Sequence, residues 1–389
     1  MTLKRKLTFS TSNFLKYSLF HLLPTLHLLQ IEIQCLNSIV VSKQGVLKLL
    51  QNINENKATG PDNIPGKLLK ICSQELHETF TILFQHSLSK GIVPDDWKLA
   101  FISPLFKKGD KSNVANYRPI SLTSIVCKLL EHIVHSTVMD FLDSNKILSS
   151  FQHGFRQGRS CESQLLTTLR NFTQCLNSSG QTDAILLDFS KAFDKVDHKI
   201  LLSKISNIGI QGSLFNWISS FLSNRLQYVV VDGSISDKGP VLSGVPQGTV
   251  LGPLLFLIYI NDIHKNLSPG THIRLFADDS LLYREIHNTT DTITLQKDLD
   301  QLQQWEKLNK MEFHPDKCQL LKISNKRQTI NFNYEIHGTK LMEFNSAKYL
   351  GVTIDSKLNW IDQCKKAILC YLFLKETFIN ARKLLKNNF

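Results

Sequence analysis

Hydrophobic residues recur every three to four positions in several stretches of the chain, which is the spacing of an amphipathic helix. The strongest pattern covers 124–142, and a second covers 161–176. The same spacing predicts further helices over 42–51, 67–90, 200–221 with a break at 209–212, 251–263 and 292–309. Helices therefore account for a large part of the predicted chain.

Short apolar runs between turn residues predict strands. These runs cover 99–105, 183–189, 228–231, 273–277 and 280–283, followed by a β-rich stretch that ends near 349–355. The strand over 228–231 opens a hairpin whose predicted turn is Asp232-Gly233. Because helices and strands are mixed without regular alternation, the pattern predicts an α+β fold rather than a doubly wound sheet.

The composition indicates which class of partner the chain binds. The chain has 389 residues, enough for two or three lobes, and a formal net charge of +12. Such a basic chain favours a polyanionic partner, either nucleic acid or an anionic membrane. Eight scattered cysteines without a metal-binding spacing indicate reduced thiols and no structural zinc.

The leucine-rich N-terminal stretch over 14–29 is the one segment that suggests a membrane. His21, Pro24 and His27 interrupt it, so it is shorter and more polar than a spanning helix. We expect a buried or irregular segment there, no membrane partner and an intracellular protein, in the nucleus or the cytoplasm.

Two apolar segments contain aspartates that ordinary folding does not require. Asp188 lies within the apolar run over 183–189, and Asp278 and Asp279 lie between two predicted strands. Buried carboxylates are costly unless they are paired or bind a cation, and Mg²⁺ prefers such oxygen ligands. The alternative is an Asp-Asp hairpin turn with Asp188 at a strand end. Taken alone, the aspartates leave both interpretations open.

The order of motifs resembles the reverse transcriptases of non-LTR retrotransposons, over about three quarters of the chain. The motifs are ATGPD at 58–62, Trp97-Lys98, PLFKKG at 104–109, NYRPISL at 116–122, QHGFRQGRS at 152–160, DFSKAFDKVDH at 188–198, GVPQGTVLGP at 244–253, FADD at 276–279, Lys317 and YLGV at 349–352. Each motif alone is a weak match, but their order and spacing make chance implausible.

The resemblance implies a right-hand polymerase fold with fingers, a palm and a short or altered thumb. We expect residues 1–55 to form an N-terminal segment without a recognisable domain. Residues 56–355 would form the reverse transcriptase domain, with fingers and palm, and 356–389 a partial thumb or altered tail.

The implied activity is RNA-directed DNA polymerisation, in which dNTPs are added to a primer 3′-hydroxyl by two-metal nucleotidyl transfer. Asp188 and Asp278 would be metal ligands, and Asp279 the third catalytic carboxylate of the metal site. The cofactor would be Mg²⁺, with Mn²⁺ as an alternative. The partners would be an RNA template, a DNA or RNA primer, and dNTPs, while the oligomeric state is left open.

The resemblance also assigns substrate-binding residues. Phe193 would exclude a ribose 2′-hydroxyl, although a core aromatic is the alternative. Gln247 would contact nucleotide and template, in a loop that also turns a strand into a helix. Arg118 and Arg156 would face the triphosphate or template, against the alternative of solvated surface charges. Lys317 would protonate the pyrophosphate, in a motif that departs from the family pattern.

The remaining polar residues of these motifs receive simpler roles. Arg159, like Arg118 and Arg156, would face the triphosphate or the template backbone, with a solvated surface charge as the alternative. Lys107 and Lys108 would contact the template, and Asp194 and Asp197 would support the fold. Glu131, His132 and His135 are expected to form a helix surface rather than a zinc site.

Two rival functions are considered against the polymerase. A truncated, catalytically silent retroelement relic would bind RNA through its basic fingers, which the short ends favour and the unbroken motifs oppose. A viral RNA-dependent RNA polymerase shares the carboxylate arrangement but is disfavoured by Phe193 and the fingers motifs.

Overall fold

The computed structural model describes residues 35–371. The leucine-rich stretch over 14–29 and most of the predicted C-terminal tail lie outside the described residues. The helices are α1 (Lys43–Gln51), α2 (Gly66–Ile71), α3 (Ser73–Lys90), α4 (Ile125–Ser144), α5 (Cys161–Asn177), α6 (His198–Asn207), α7 (Gly212–Leu222), α8 (Leu251–Ile260) and α9 (Thr289–Asn309). Residues 361–371 are also helical.

The strands fall into two larger sheets and two short hairpins. They are β1 (Leu99–Phe106), β2 (Tyr117–Leu122), β3 (Gln181–Leu187), β4 (Arg225–Val231), β5 (Ser234–Ile235), β6 (Gly239–Val241), β7 (Thr271–Phe276), β8 (Asp279–Glu285), β9 (Gln319–Ser324), β10 (Glu335–Ile336), β11 (Thr339–Lys340), β12 (Met342–Phe344), β13 (Ser346–Tyr349) and β14 (Val352–Asp355). The mixture confirms the predicted α+β class.

The predicted helices are present, with one division that the periodicity did not reveal. The segment 67–90 forms two helices that meet at Cys72. Polar caps define several helix starts: the Ser124 side chain accepts the amide of Cys127, and Asp197 accepts those of Lys199 and Ile200. Such caps pair backbone donors that the first turn leaves free.

The central sheet has the strand order β12-β9-β3-β8-β7. Its middle strand, β3, is antiparallel to both β8 and β9 and is buried on both faces, as its apolar run predicts. Ile185 and Leu187 join the large core with α8, whereas Ala184 joins a second core that includes residues of α5. The fold therefore holds the strand that precedes Asp188 rigidly between two cores.

The second sheet has the order β2-β1-β4-β5, with β6 also paired to β4. It contains the predicted hairpin, because β4 and β5 pair through Val231 and Ser234 across Asp232-Gly233. The basic PLFKKG motif continues from the end of β1. Among residues 35–371, no helix combines the length and apolar character needed to cross a membrane.

A buried carboxylate anchors the end of β3 that lies away from Asp188. Asp183 is fully buried, and its two oxygens accept hydrogen bonds from the Gln181 side chain and the Tyr334 hydroxyl, both at 2.8 Å. Burial raises the pKa of Asp183, although both hydrogen bonds oppose this shift. The group ties the loop before β10 to the central sheet.

Replacing Asp183 with alanine should lower the free energy of unfolding by about 2–3 kcal/mol, because two buried donors lose a charged acceptor. Urea denaturation would measure this loss. Asp140→Ala is the matched control, since Asp140 is exposed on α4 and should change stability by less than about 0.5 kcal/mol. Equal stability of the two variants would contradict the anchoring role.

Candidate active site

The register of the central sheet brings the three predicted aspartates to one edge. β3 and β8 pair with Leu187 opposite Ser280, so one further step along the ladder puts Asp188 opposite Asp279. Residues directly opposite on antiparallel strands are about 5 Å apart between their Cα atoms. Asp278 immediately precedes Asp279 in the β7–β8 turn. Carboxylates that are about 90 residues apart in the sequence thus meet at one place.

The turn itself lies one residue earlier than the predicted Asp278-Asp279 turn. β7 and β8 pair through Phe276 and Asp279, so the two turn residues are Ala277 and Asp278. Ala277 adopts the left-handed conformation with φ of 54°. Asp279 instead belongs to β8. The apolar residues that follow it are compatible with a strand, but two adjacent aspartates are also typical of a turn.

The three carboxylates repel one another. The surrounding protein desolvates Asp278 and, with the charge of Asp188, raises its pKa. Asp279 is partly open to solvent, yet desolvation, followed by repulsion from Asp278 and Asp188, raises its pKa to about 6. We interpret this as a site where negative charge is concentrated beyond what the protein itself neutralises.

The donor set fits a hard divalent cation, although the carboxylates do not form a closed cage. Within residues 35–371, no group of three or more His, Cys, Asp or Glu side chains is close enough to enclose an ion. The three aspartates offer only oxygen donors, which Mg²⁺ and Mn²⁺ prefer. A cation there would also relieve their mutual repulsion.

Two cations from the second sheet act on this carboxylate group. Arg118 is opposite Leu105 in the β1–β2 ladder, and the Lys107 amide donates to the Asn116 carbonyl just beyond it. Both side chains are exposed, and the positive charge of each lowers the pKa of Asp278 and Asp279. The structure therefore brings Arg118 and Lys107 to the site.

Phe193 lies in the turns after Asp188 and is partly buried. One face of its ring stacks on Phe256 of α8, with centroids 4.3 Å apart, and Phe155 meets it edge-on at 6.5 Å. The stack immobilises the ring while part of its surface stays open. Core packing and a role at the substrate are therefore compatible for Phe193.

The loop that carries Gln247 is held on both sides. The side-chain amide of Gln247 donates to the Asp194 carboxylate at 3.0 Å. The backbone carbonyl of Gln247 accepts a hydrogen bond from the Ser121 amide of β2 at 2.7 Å. A Cβ at Gly248 would be 2.7 Å from the Ser121 carbonyl oxygen, so only glycine allows this approach. Asp194 supports the fold as expected, and it does so by orienting Gln247.

Two other predicted substrate residues, Arg156 and Lys317, form no hydrogen bond or ion pair with the three carboxylates among residues 35–371. Arg156 donates to the Asp143 carboxylate at 2.8 Å and to the Ser149 carbonyl at 3.2 Å. Lys317 is exposed in the turn over Pro315–Lys317. That turn follows His314, whose amide donates to the Asp188 carbonyl at 2.8 Å. The substrate roles of Arg156 and Lys317 stay predictions.

A buried glutamate that sequence reasoning misplaced supports the Gln247 loop from behind. Glu131 is fully buried, and one of its oxygens accepts the amides of Val250 and Leu251, at 2.7 and 3.0 Å, where α8 begins. The expectation that Glu131 lies on a helix surface is therefore wrong. Its spacing from the buried Cys127, Val134 and Val138 is the signal that places it on the inward face.

Glu131→Leu should lower the free energy of unfolding by about 2–3 kcal/mol, because two buried amides at the start of α8 lose their acceptor. Glu131→Gln keeps an acceptor oxygen and should cost less than half as much. Urea denaturation of both variants is the measurement. If leucine and glutamine behave alike, the carboxylate does not cap α8.

Comparison with known proteins places this site in a family. The family model described as reverse transcriptase (RNA-dependent DNA polymerase) matches residues 106–354, a span that contains all three aspartates. The chain is 28% identical over 329 residues to the RNA-directed DNA polymerase from mobile element jockey of Drosophila melanogaster. The matched region covers 82% of this chain and 36% of that relative.

Two further relatives come from other mobile elements. The probable RNA-directed DNA polymerase from transposon X-element of Drosophila melanogaster is 30% identical over 322 residues, 81% of this chain and 35% of the relative. A Pol polyprotein from type-1 retrotransposable element R2 of Popillia japonica is 29% identical over 216 residues, 52% of this chain and 29% of the relative. The chain spans about a third of the length of such relatives. It belongs to the reverse transcriptase (RNA-dependent DNA polymerase) family.

Proposed function

We propose that this chain is the polymerase part of a non-LTR retrotransposon reverse transcriptase, which copies RNA into DNA. The observation that carries the proposal is the meeting of Asp188, Asp278 and Asp279 at one sheet edge, opposite the charges of Lys107 and Arg118. Surplus negative charge near exposed cationic side chains suits a site that binds a metal and a triphosphate together.

In the proposed right-hand arrangement, the central sheet with α5 and α8 is the palm, and the sheet of β1, β2 and β4–β6 belongs to the fingers. The reverse transcriptase domain would cover 56–355 and the thumb 356–389, of which 356–371 are described. The support is that Asp188 directly follows β3, which packs into two apolar cores, while the basic motif begins on β1 of the other sheet.

The residues of the site then receive the following proposed roles. Mg²⁺ held by Asp188 and Asp278, with Asp279 beside them, would neutralise the charge that develops on the transferred phosphoryl group. Arg118 would bind the triphosphate, since its guanidinium is exposed and forms no hydrogen bond or ion pair among the described residues. Gln247, oriented by Asp194, would contact the nucleotide, and Lys317 would protonate the pyrophosphate.

The proposed partners are an RNA template, a DNA or RNA primer and dNTPs. The net charge of +12 and the exposed Lys107 and Lys108 support attraction to phosphate backbones. A catalytically silent relic would bind RNA in the same way. Only nucleotide incorporation distinguishes these two functions.

Asp278→Asn should reduce primer extension on an RNA template by at least about 1,000-fold, because it removes a charge from the metal site. The assay uses the full chain, labelled primer, dNTPs and Mg²⁺, together with RNA binding by filter retention. Asp140→Asn, on the exposed face of α4, is the matched control and should extend like the wild type. RNA binding without extension by the wild type would favour the relic instead.

Phe193→Ala should reduce the preference for dNTPs over rNTPs, measured as a ratio of kcat/KM values, by about 10- to 100-fold. The reason is that the ring, held by Phe256, would no longer exclude a 2′-hydroxyl. Phe193→Tyr keeps the ring and should retain the preference. An unchanged ratio in the alanine variant would show that Phe193 is a packing residue alone.

A further inference from the structure

The turn that carries Asp278 is held by a segment outside the hairpin. Residues 151–154 run beside β7, where the Leu275 amide donates to the Phe151 carbonyl at 3.0 Å and the His153 amide donates to the Leu275 carbonyl at 2.9 Å. The segment thus continues the central sheet past its edge strand for a short distance. It brings the side chain of Gln152 against the turn.

Gln152 binds the turn through its side-chain amide. Its Oε1 accepts the amide of Ala277 at 2.9 Å and that of Gly154 at 2.8 Å, while Nε2 faces the Ala277 carbonyl at 3.5 Å. Only 3% of Gln152 is exposed, so water does not compete for these groups. One buried side chain therefore satisfies the peptide groups of two separate segments.

Ala277 is the residue whose conformation needs this support. An alanine in the left-handed region costs about 1 kcal/mol relative to the right-handed region, so the surrounding structure has to impose it. Ala277 is also buried, and an unpaired amide there would cost a further 1–3 kcal/mol or so. Asp278 follows directly, so the backbone angles of Ala277 set the direction of its carboxylate.

Gly154 shows how closely the two segments approach. A Cβ on this residue would be 2.4 Å from the Ala277 nitrogen, far inside van der Waals contact. Gly154 does not have a positive φ, so space rather than backbone conformation excludes a side chain. The contact between segment 151–154 and the turn is therefore a tight backbone-to-backbone fit.

The arginines of the same motif hold this segment in turn. Arg159 donates to the carbonyl of Gln152 at 3.0 Å, and Arg156 donates to the Ser149 carbonyl and the Asp143 carboxylate. The His153 ring is hydrogen-bonded to the Ser163 hydroxyl of α5 at 2.8 Å. Gln152 is thus presented by a rigid support.

We propose that Gln152 is a positioning residue that holds Ala277 in its left-handed conformation and so orients Asp278 for nucleotidyl transfer. The inference rests on the proposed polymerase function. The Gln152 side chain forms no hydrogen bond with the three carboxylates, and we infer that it acts through the backbone of the turn. Misplacement of a reacting group by about 1 Å can cost about 100-fold in rate.

The test compares Gln152→Met with Gln181→Met. Methionine keeps the length of the side chain but has no strong acceptor. Gln181 is an equally buried glutamine whose side chain bonds to Asp183 and to both backbone groups of Ile330. It lies at the other end of β3, about 20 Å from Asp188 at 3.3 Å per residue. The control therefore loses similar bonds far from the site.

We expect Gln152→Met to lower kcat by about 10- to 100-fold, with KM for dNTP and RNA affinity changed by less than about threefold. The Mg²⁺ concentration for half-maximal rate should rise. Independently of activity, hydrogen exchange of the amides in 273–280 should accelerate, because Ala277 loses its acceptor. Gln181→Met should leave kcat and exchange in 273–280 unchanged.

Each outcome separates the two proposals. Wild-type protein without extension activity would overturn the proposed function, while the exchange measurement would still test the contact. An active wild type with unchanged kcat and exchange in Gln152→Met would overturn the positioning role. Equal losses of kcat in both methionine variants would do the same, since they would reflect general destabilisation.

Gly154→Ala provides a second variant in which the Gln152 side chain is intact. The added methyl group should push the segment away from Ala277 and reproduce the fall in kcat with little change in KM. Wild-type kinetics for this variant would contradict the tight fit on which the inference depends.

Discussion

The antiparallel register between β3 and β8 is the constraint on which the rest of this structure depends. Pairing Leu187 with Ser280 puts Asp188 opposite Asp279, and a slip of one residue would turn every side chain of β8 to the other face. Both faces of β3 pack into apolar cores, so the register is strongly specified. The same burial that stabilises the sheet thus forces like charges together at its edge.

That crowding is unfavourable for the folded chain, and neighbouring elements limit its cost. Lys107 and Arg118 lower the pKa values of Asp278 and Asp279, although burial and repulsion still dominate. Both cations are exposed and form no ion pair among the described residues, which leaves them available to bind phosphate groups. If the charges of these side chains were fully neutralised within the protein, the site would have less affinity for a metal and a triphosphate.

The local spacing of apolar and polar residues was enough to predict most helices and the buried central strand. It failed where a residue's role is decided by a distant partner. Glu131 was expected on a helix surface because the residues whose amides donate to it, Val250 and Leu251, are about 120 residues away in the sequence. The turn at Ala277-Asp278 was predicted one residue too late, because a pair of aspartates is typical of a turn. The hydrogen-bonded pairing of β7 and β8 decides the actual register.

The QHGFRQGRS motif illustrates the same limit for function. Guanidinium groups can donate both to phosphates and to carbonyl oxygens, so the sequence alone could not tell whether Arg156 and Arg159 bind substrate or protein. In the structure, both donate to the backbone of residues 149–152. The segment that they hold presents Gln152 to the turn before Asp278. A motif that resembles a substrate-binding element therefore also supports the hairpin that contains Asp278 and Asp279, and its close spacing of Gln, Gly and Arg has a physical reason in that contact.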